Sequence, residues 1–184
     1  MGNSSFSISS PIDPAMVKIS SATASASATI DFTGLDGAYS SYVIEMDAVI
    51  PATNAVEFYI RTGTGGTPTY QSGASDYNYS AVEYNTGGVT GNASNGAAFM
   101  RCNARTFGTV AGEEMSGKVN LFNPSNASAN KRITGQIAYR DSLAAFTQTV
   151  FGGTYRSNTP VTAIRFLFSS GNIASGVFTL YGIK

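Results

Sequence analysis

The run VTAIRFLFSSGNIASGVFTLYGIK, Val161 to Lys184, decides how the rest of this chain is read. Ile164, Phe166 and Phe168 alternate with Arg165 and Leu167, the two-residue period of a strand, and their β-branched and aromatic side chains suit a pleated surface. Ser169, Ser170, Gly171 and Asn172 tolerate positive φ and mark a tight turn. Gly176 to Ile183 then resumes a β-rich run through Val177, Phe178, Leu180 and Tyr181. The expectation is a two-stranded hairpin. Apolar side chains on both faces of both strands place the pair inside a sandwich or a subunit contact.

Working outward, the same signals recur. Tyr39 to Ile50 is a long strand in which Tyr42, Ile44, Met46, Ala48 and Ile50 form the expected core face, opposite Val43, Glu45, Asp47 and Val49. Val56, Phe58 and Ile60 alternate with Glu57, Tyr59 and Arg61 in a second strand of this type. Val17 to Ile19 reads as a short strand, and Ser21 to Thr29 alternates Ser or Thr with Ala, an extended segment with a thin, closely packed face. Further strands are expected at Tyr77 to Tyr84, Phe99 to Ala104, Lys118 to Phe122, Arg132 to Tyr139 and Thr147 to Tyr155. Asn85 to Gly96 reads as a long loop, and Asp141 to Phe146 as a helical turn. About ten short strands punctuated by turns predict an all-β fold, an antiparallel, jelly-roll-like β-sandwich. A single domain would span 15–184, preceded by an extended N-terminal arm over 1–14, where Pro11 and Pro14 hold the chain extended. Phe6, Ile8 and Ile12 share an even spacing in that arm and are candidate docking anchors.

Composition narrows the function. The 184 residues hold 11 Lys and Arg against 11 Asp and Glu, and only 12% are charged. Disorder needs low hydrophobicity with high net charge, which this chain lacks. Its scattered basic residues argue against a nucleic-acid partner. No apolar run approaches the ~20 residues that cross a bilayer, so no membrane partner is expected. Met1 to Ser10 lacks the basic start and apolar stretch of a secretory leader, which predicts synthesis in a cytoplasm. Cys102 stands alone and reads as a small buried hydrophobe.

Catalytic chemistry finds little support. The chain has no histidine, the usual base for a Ser or Cys nucleophile and the commonest neutral metal ligand. Ser116 and Lys118 form a chance-level Ser-x-Lys pair, and Glu45 and Asp47 read as a solvated polar strand face rather than a glycosidase acid pair. Neither Glu113 and Glu114 nor Asp31 and Asp36 sits in a calcium-loop pattern. The expectation is no enzyme, no cofactor and no metal. Tyr70, Tyr77, Tyr79 and Tyr84 fall in one segment beside Asn78 and Asn85, a candidate partner or glycan face, with packing at strand rims as the plainer reading.

One resemblance adds to this. Gly152, Gly153, Tyr155, Pro160, Val161, Ile164 and Phe166, then Gly171, Ile173 and Gly176 in the turn, then Phe178, Leu180, Tyr181, Gly182 and Ile183, form a pattern that resembles the C-terminal end of tailed-bacteriophage virion proteins. It covers the last third of the chain, from about Lys131 onward. The resemblance implies a β-sandwich of a head fibre, a head-decorating cement protein or a tail fibre, usually trimeric and without catalytic residues. The absence of heptads or G-x-y repeats favours a capsid decoration protein, a homotrimer bound to the major capsid protein on the outer surface of the head. A receptor-binding fibre tip is the second reading, and a stand-alone carbohydrate-binding sandwich the third; a glycan receptor belongs to these alternatives.

Overall fold

The structure, a computed structural model, describes residues 15–184. The expected arm, with Phe6, Ile8 and Ile12, lies outside the described residues. Those described form thirteen strands and no helix. The strands are β1 (Met16–Ser27), β2 (Ile30–Thr33), β3 (Ser41–Pro51), β4 (Phe58–Thr64), β5 (Thr69–Tyr70), β6 (Tyr77–Asn85) and β7 (Gly88–Ala97). They continue with β8 (Met100–Arg101), β9 (Met115–Phe122), β10 (Lys131–Arg140), β11 (Phe146–Tyr155), β12 (Val161–Phe168) and β13 (Ile173–Ile183).

Two antiparallel sheets pack as a sandwich. An eight-stranded sheet runs β1-β13-β3-β9-β10-β11-β6-β7, and a five-stranded sheet has β2-β12-β4-β5 in line with β8 paired to β4. The chain passes repeatedly from one sheet to the other, so each sheet is assembled from distant segments. The core between them follows period two: Ile133 and Ile137 on β10, Phe58 and Ile60 on β4, and Ile164, Phe166 and Phe168 on β12 are all buried. Full burial of each such side chain is worth about 1.5–3 kcal/mol.

Several expectations are corrected. The final two strands do not form a hairpin: β12 pairs with β2 and β4, whereas β13 pairs with β1 and β3 in the opposite sheet. The Ser169–Asn172 turn is therefore an arch over the edge of the sandwich, and Phe166 meets Phe178 across the core at a ring separation of 5.4 Å. Hydrophobic alternation is identical for a hairpin and an arch, because each buries alternate residues. On β3 the inward phase holds through Tyr42, Ile44 and Met46 and then breaks; Ala48 takes φ +50° and is exposed, while Val49 becomes buried. The bulge adds one residue and reverses which side faces the core. It also leaves no room opposite, since a Cβ on Gly176, itself at φ +133°, would lie 2.7 Å from the Val49 Cα.

The predicted loop Asn85 to Gly96 is mostly β7, paired with β6 through Tyr84↔Val89 and Ser80↔Ala93. Its small polar residues lack a hydrophobic period because, as an edge strand, it is largely exposed on both faces. Val17–Ile19 and Ser21–Thr29 merge into β1, whose Ser-Ala alternation buries only Ala24 rather than a whole face. The expected strand Phe99–Ala104 shrinks to β8, and Asp141 to Phe146 is a non-helical turn in which the Asp141 carboxylate accepts the Leu143 and Ala145 amides. Gly135 on β10 answers to close approach, since a Cβ there would run into the Phe151 ring.

A buried carboxylate fixes the long connection between β8 and β9. Glu83 on β6 is fully buried and accepts from the Ala104 amide at 2.8 Å, the Arg105 amide at 2.6 Å, the Thr149 hydroxyl at 2.9 Å and the Tyr139 phenol. Burial first and this carboxylate second push the Tyr139 phenol up. Every partner donates, so the desolvated charge is met by hydrogen bonds rather than by a cation.

Candidate functional site

The outer face of the eight-stranded sheet brings together residues that are far apart in sequence. Register places Glu45 of β3 opposite Lys118 of β9, and Lys118 opposite Gln136 of β10, in one row that continues to Val150 of β11. The adjacent row runs Tyr181, Val43, Asn120 and Thr134. Two shallow concavities of about 470 and 260 Å³ lie along these rows and share Lys118 and Gln136. The first has Glu45, Asp47 and Ser116 on its rim, with the apolar Met46 and Ile137 also lining it.

The β3 bulge shapes one end of this groove. Ser116 donates its hydroxyl to Asp47 Oδ1 at 3.0 Å and accepts the Ala48 amide at 3.1 Å, so its side chain bridges the displaced backbone. The two pairs singled out in the sequence, Glu45 with Asp47 and Ser116 with Lys118, thus meet at one site. Their arrangement is unlike a nucleophile and its base, because the Ser116 hydroxyl is turned toward a carboxylate and Lys118 makes no hydrogen bond to it. Glu45 and Lys118 face each other without forming one of the ion pairs found among the described residues. Lys118, Gln136 and Asn120 also leave their side-chain donors without a protein partner among the described residues. Tyr181 stands beside Glu45; desolvation first and this carboxylate second raise its phenol above the usual range. Among the described residues, no three His, Cys, Asp or Glu side chains gather closely enough to hold a metal ion.

The four tyrosines expected to share a face do not. Tyr77 is fully buried, its hydroxyl accepting the Thr62 amide at 2.8 Å and donating to the Gln71 carbonyl at 3.2 Å, and burial raises it to about 12. Tyr79 points the same way on β6, as its spacing predicts, and packs half-buried against the core. Tyr70 belongs to the other sheet, where the Arg165 guanidinium lies 3.7 Å over its ring while gripping Asp31 through two hydrogen bonds. Only Tyr84 is exposed, on the outer face of β6. Alternation sends Tyr84 opposite to Tyr77, and a sheet change separates Tyr70 from both.

The C-terminal motif is structural. Ile173, Gly176, Leu180 and Gly182 face inward, whereas Tyr181 and Ile183 lie half-buried on the outer face. Gly171 adopts φ +70° in the arch, and Gly182 leaves space for the Tyr39 ring. Beside the groove, the tips of the β6–β7 and β10–β11 hairpins expose an apolar corner: Tyr84 (54% exposed), Val89 (67%), Leu143 (78%) and Phe146 (58%). Tyr84 lies between Val89 and Gln148 in register, and Phe146 follows Gln148 on the same face. The sequence reading missed this corner because it treated half of it as a loop.

No family model matches the chain, and no curated protein matches its sequence. Among solved structures, a toad ovary galectin in complex with thio-digalactose is similar over 77% of this chain and 99% of its own, at 14% identity and a TM-score of 0.24. At that score the likeness bears on neither fold nor ligand.

Proposed function

We propose that this chain is a non-enzymatic structural protein of a tailed-phage virion, which binds the outside of the head as a homotrimer on the major capsid protein and stabilises the shell. The phage assignment rests on the resemblance of the last third of the sequence. The observation that carries attachment is the apolar corner formed by Tyr84, Val89, Leu143 and Phe146. Contiguous exposed apolar side chains mark protein contacts, and on a surface with so few charges they favour a packed assembly over a free monomer. A trimer placed over a local three-fold axis would bridge neighbouring capsid subunits and add buried area between them.

The test is co-sedimentation with heads that lack the protein. The full chain should pellet with them, and a Tyr84→Ser, Val89→Ser, Phe146→Ser variant should bind at least tenfold more weakly with an unchanged thermal melt. Deleting residues 1–14 measures any further contribution of Phe6, Ile8 and Ile12. Failure of the full chain to bind such heads refutes the proposal. A receptor-binding tail component is the second reading, favoured by the polar groove on the same sheet.

A further inference from the structure

We propose that the groove across β3, β9 and β10 is a binding site for neutral saccharides. Its volumes, about 470 and 260 Å³, approach or fall within the ~300–1,000 Å³ typical of small-molecule sites, and the two run into each other at Lys118 and Gln136. A pyranose presents hydroxyls that donate and accept at once along its rim and a C–H face that is apolar. The groove offers the complement. Glu45 and Asp47 accept, Lys118 donates, and the amides of Gln136 and Asn120 do both. Met46 and Ile137 supply an apolar floor, and Val150 and Tyr181 stand at either flank of the two rows.

Charge selects the ligand class. Two carboxylates against one ammonium give the lining a net negative charge, which disfavours phosphates, nucleic acid and acidic sugars. The groove's polar rim also suits a polyol better than an apolar peptide segment. Most telling is that Lys118, Gln136 and Asn120 leave their donors without protein partners although they stand shoulder to shoulder. Glu45 and Lys118 likewise stay unpaired in a register that places them face to face. A ligand can therefore be held without first breaking internal bonds, so little of its binding energy is lost to rearrangement.

The position of the groove does not depend on where the chain sits in a virion. It lies to one side of the apolar corner, so the two functions separate by mutation. The experiment presents the purified full chain to a printed array of neutral and acidic oligosaccharides, and follows with saturation-transfer NMR using maltotriose, lactose and chitotriose. At least one neutral saccharide should bind, and Lys118→Ala with Gln136→Ala should weaken it at least tenfold while the thermal melt is unchanged. The Tyr84→Ser, Val89→Ser, Phe146→Ser variant should bind the saccharide as the parent does. No neutral binder on the array and in the NMR titrations, a preference for acidic glycans, or full binding by the Lys118/Gln136 double variant would each overturn the proposal. Loss of head binding alone would leave it standing.

Discussion

Phe166 and Phe178 lie on strands of opposite sheets, and their energetic coupling measures whether the C-terminal segment is an arch. Both rings are fully buried, with centroids 5.4 Å apart and planes inclined at 39°. A hairpin closing at Gly171 would instead pair Phe166 with a residue near Ser175 and hold Phe178 about 10 Å further along, at about 3.3 Å per residue. Truncating either ring removes its transfer energy and leaves a cavity, so Phe166→Ala and Phe178→Ala should each cost ~3–5 kcal/mol. With a urea slope of about 2 kcal/mol/M, each should lower the unfolding midpoint by about 2 M. Touching residues share a cavity and an aromatic contact, so the double variant should depart from additivity by ~0.5–3 kcal/mol. A distant control, Phe178→Ala with Val89→Ala, should be additive within about 0.5 kcal/mol. Phe166→Leu and Phe178→Leu provide a milder cycle should the alanine variants fail to fold. Single costs below about 1 kcal/mol, or strict additivity of the Phe pair, would refute the packing.

The buried carboxylate and the buried phenols give two further tests. Glu83→Ala strands two amides and two hydroxyls, and since hydrogen bonds to a charged group are worth ~1.5–3 kcal/mol, the loss should exceed about 3 kcal/mol. Hydrogen exchange should accelerate at the Ala104 and Arg105 amides first, and unchanged protection there would remove Glu83 as the clamp on this loop. Alkaline stability should report Tyr77, whose phenol is raised to about 12 by burial. The folded state then holds its proton more tightly than the unfolded chain, so stability is complete below pH ~10 and falls between pH ~10 and ~12, by about 2–3 kcal/mol. Tyr77→Phe should flatten that fall in urea melts across the same window, and an unchanged slope would assign it to other groups.

The sequence by itself determined the fold class, because period-two hydrophobicity and frequent turn residues are local properties. Ile133 against Thr134, Phe58 against Tyr59 and Phe166 against Arg165 each declared their faces correctly. It also showed that Cys102 would be buried, from its small apolar side chain alone. Pairing was another matter. Whether β12 turns back on β13 or arches over to the other sheet depends on which distant strands offer free edges, and β2, β4, β1 and β3 took them. Edge strand β7 carries almost no period because neither of its faces is deeply buried. At Ala48 a single bulged residue, made possible by Ser116 nearly 70 positions away, reversed a pattern that was correct up to Met46. The groove has the same origin. Glu45, Ser116, Lys118 and Gln136 were visible as isolated polar residues, but only the stacking of β3, β9 and β10 set them in one row, since strand register is fixed by the whole sheet and not by any one strand.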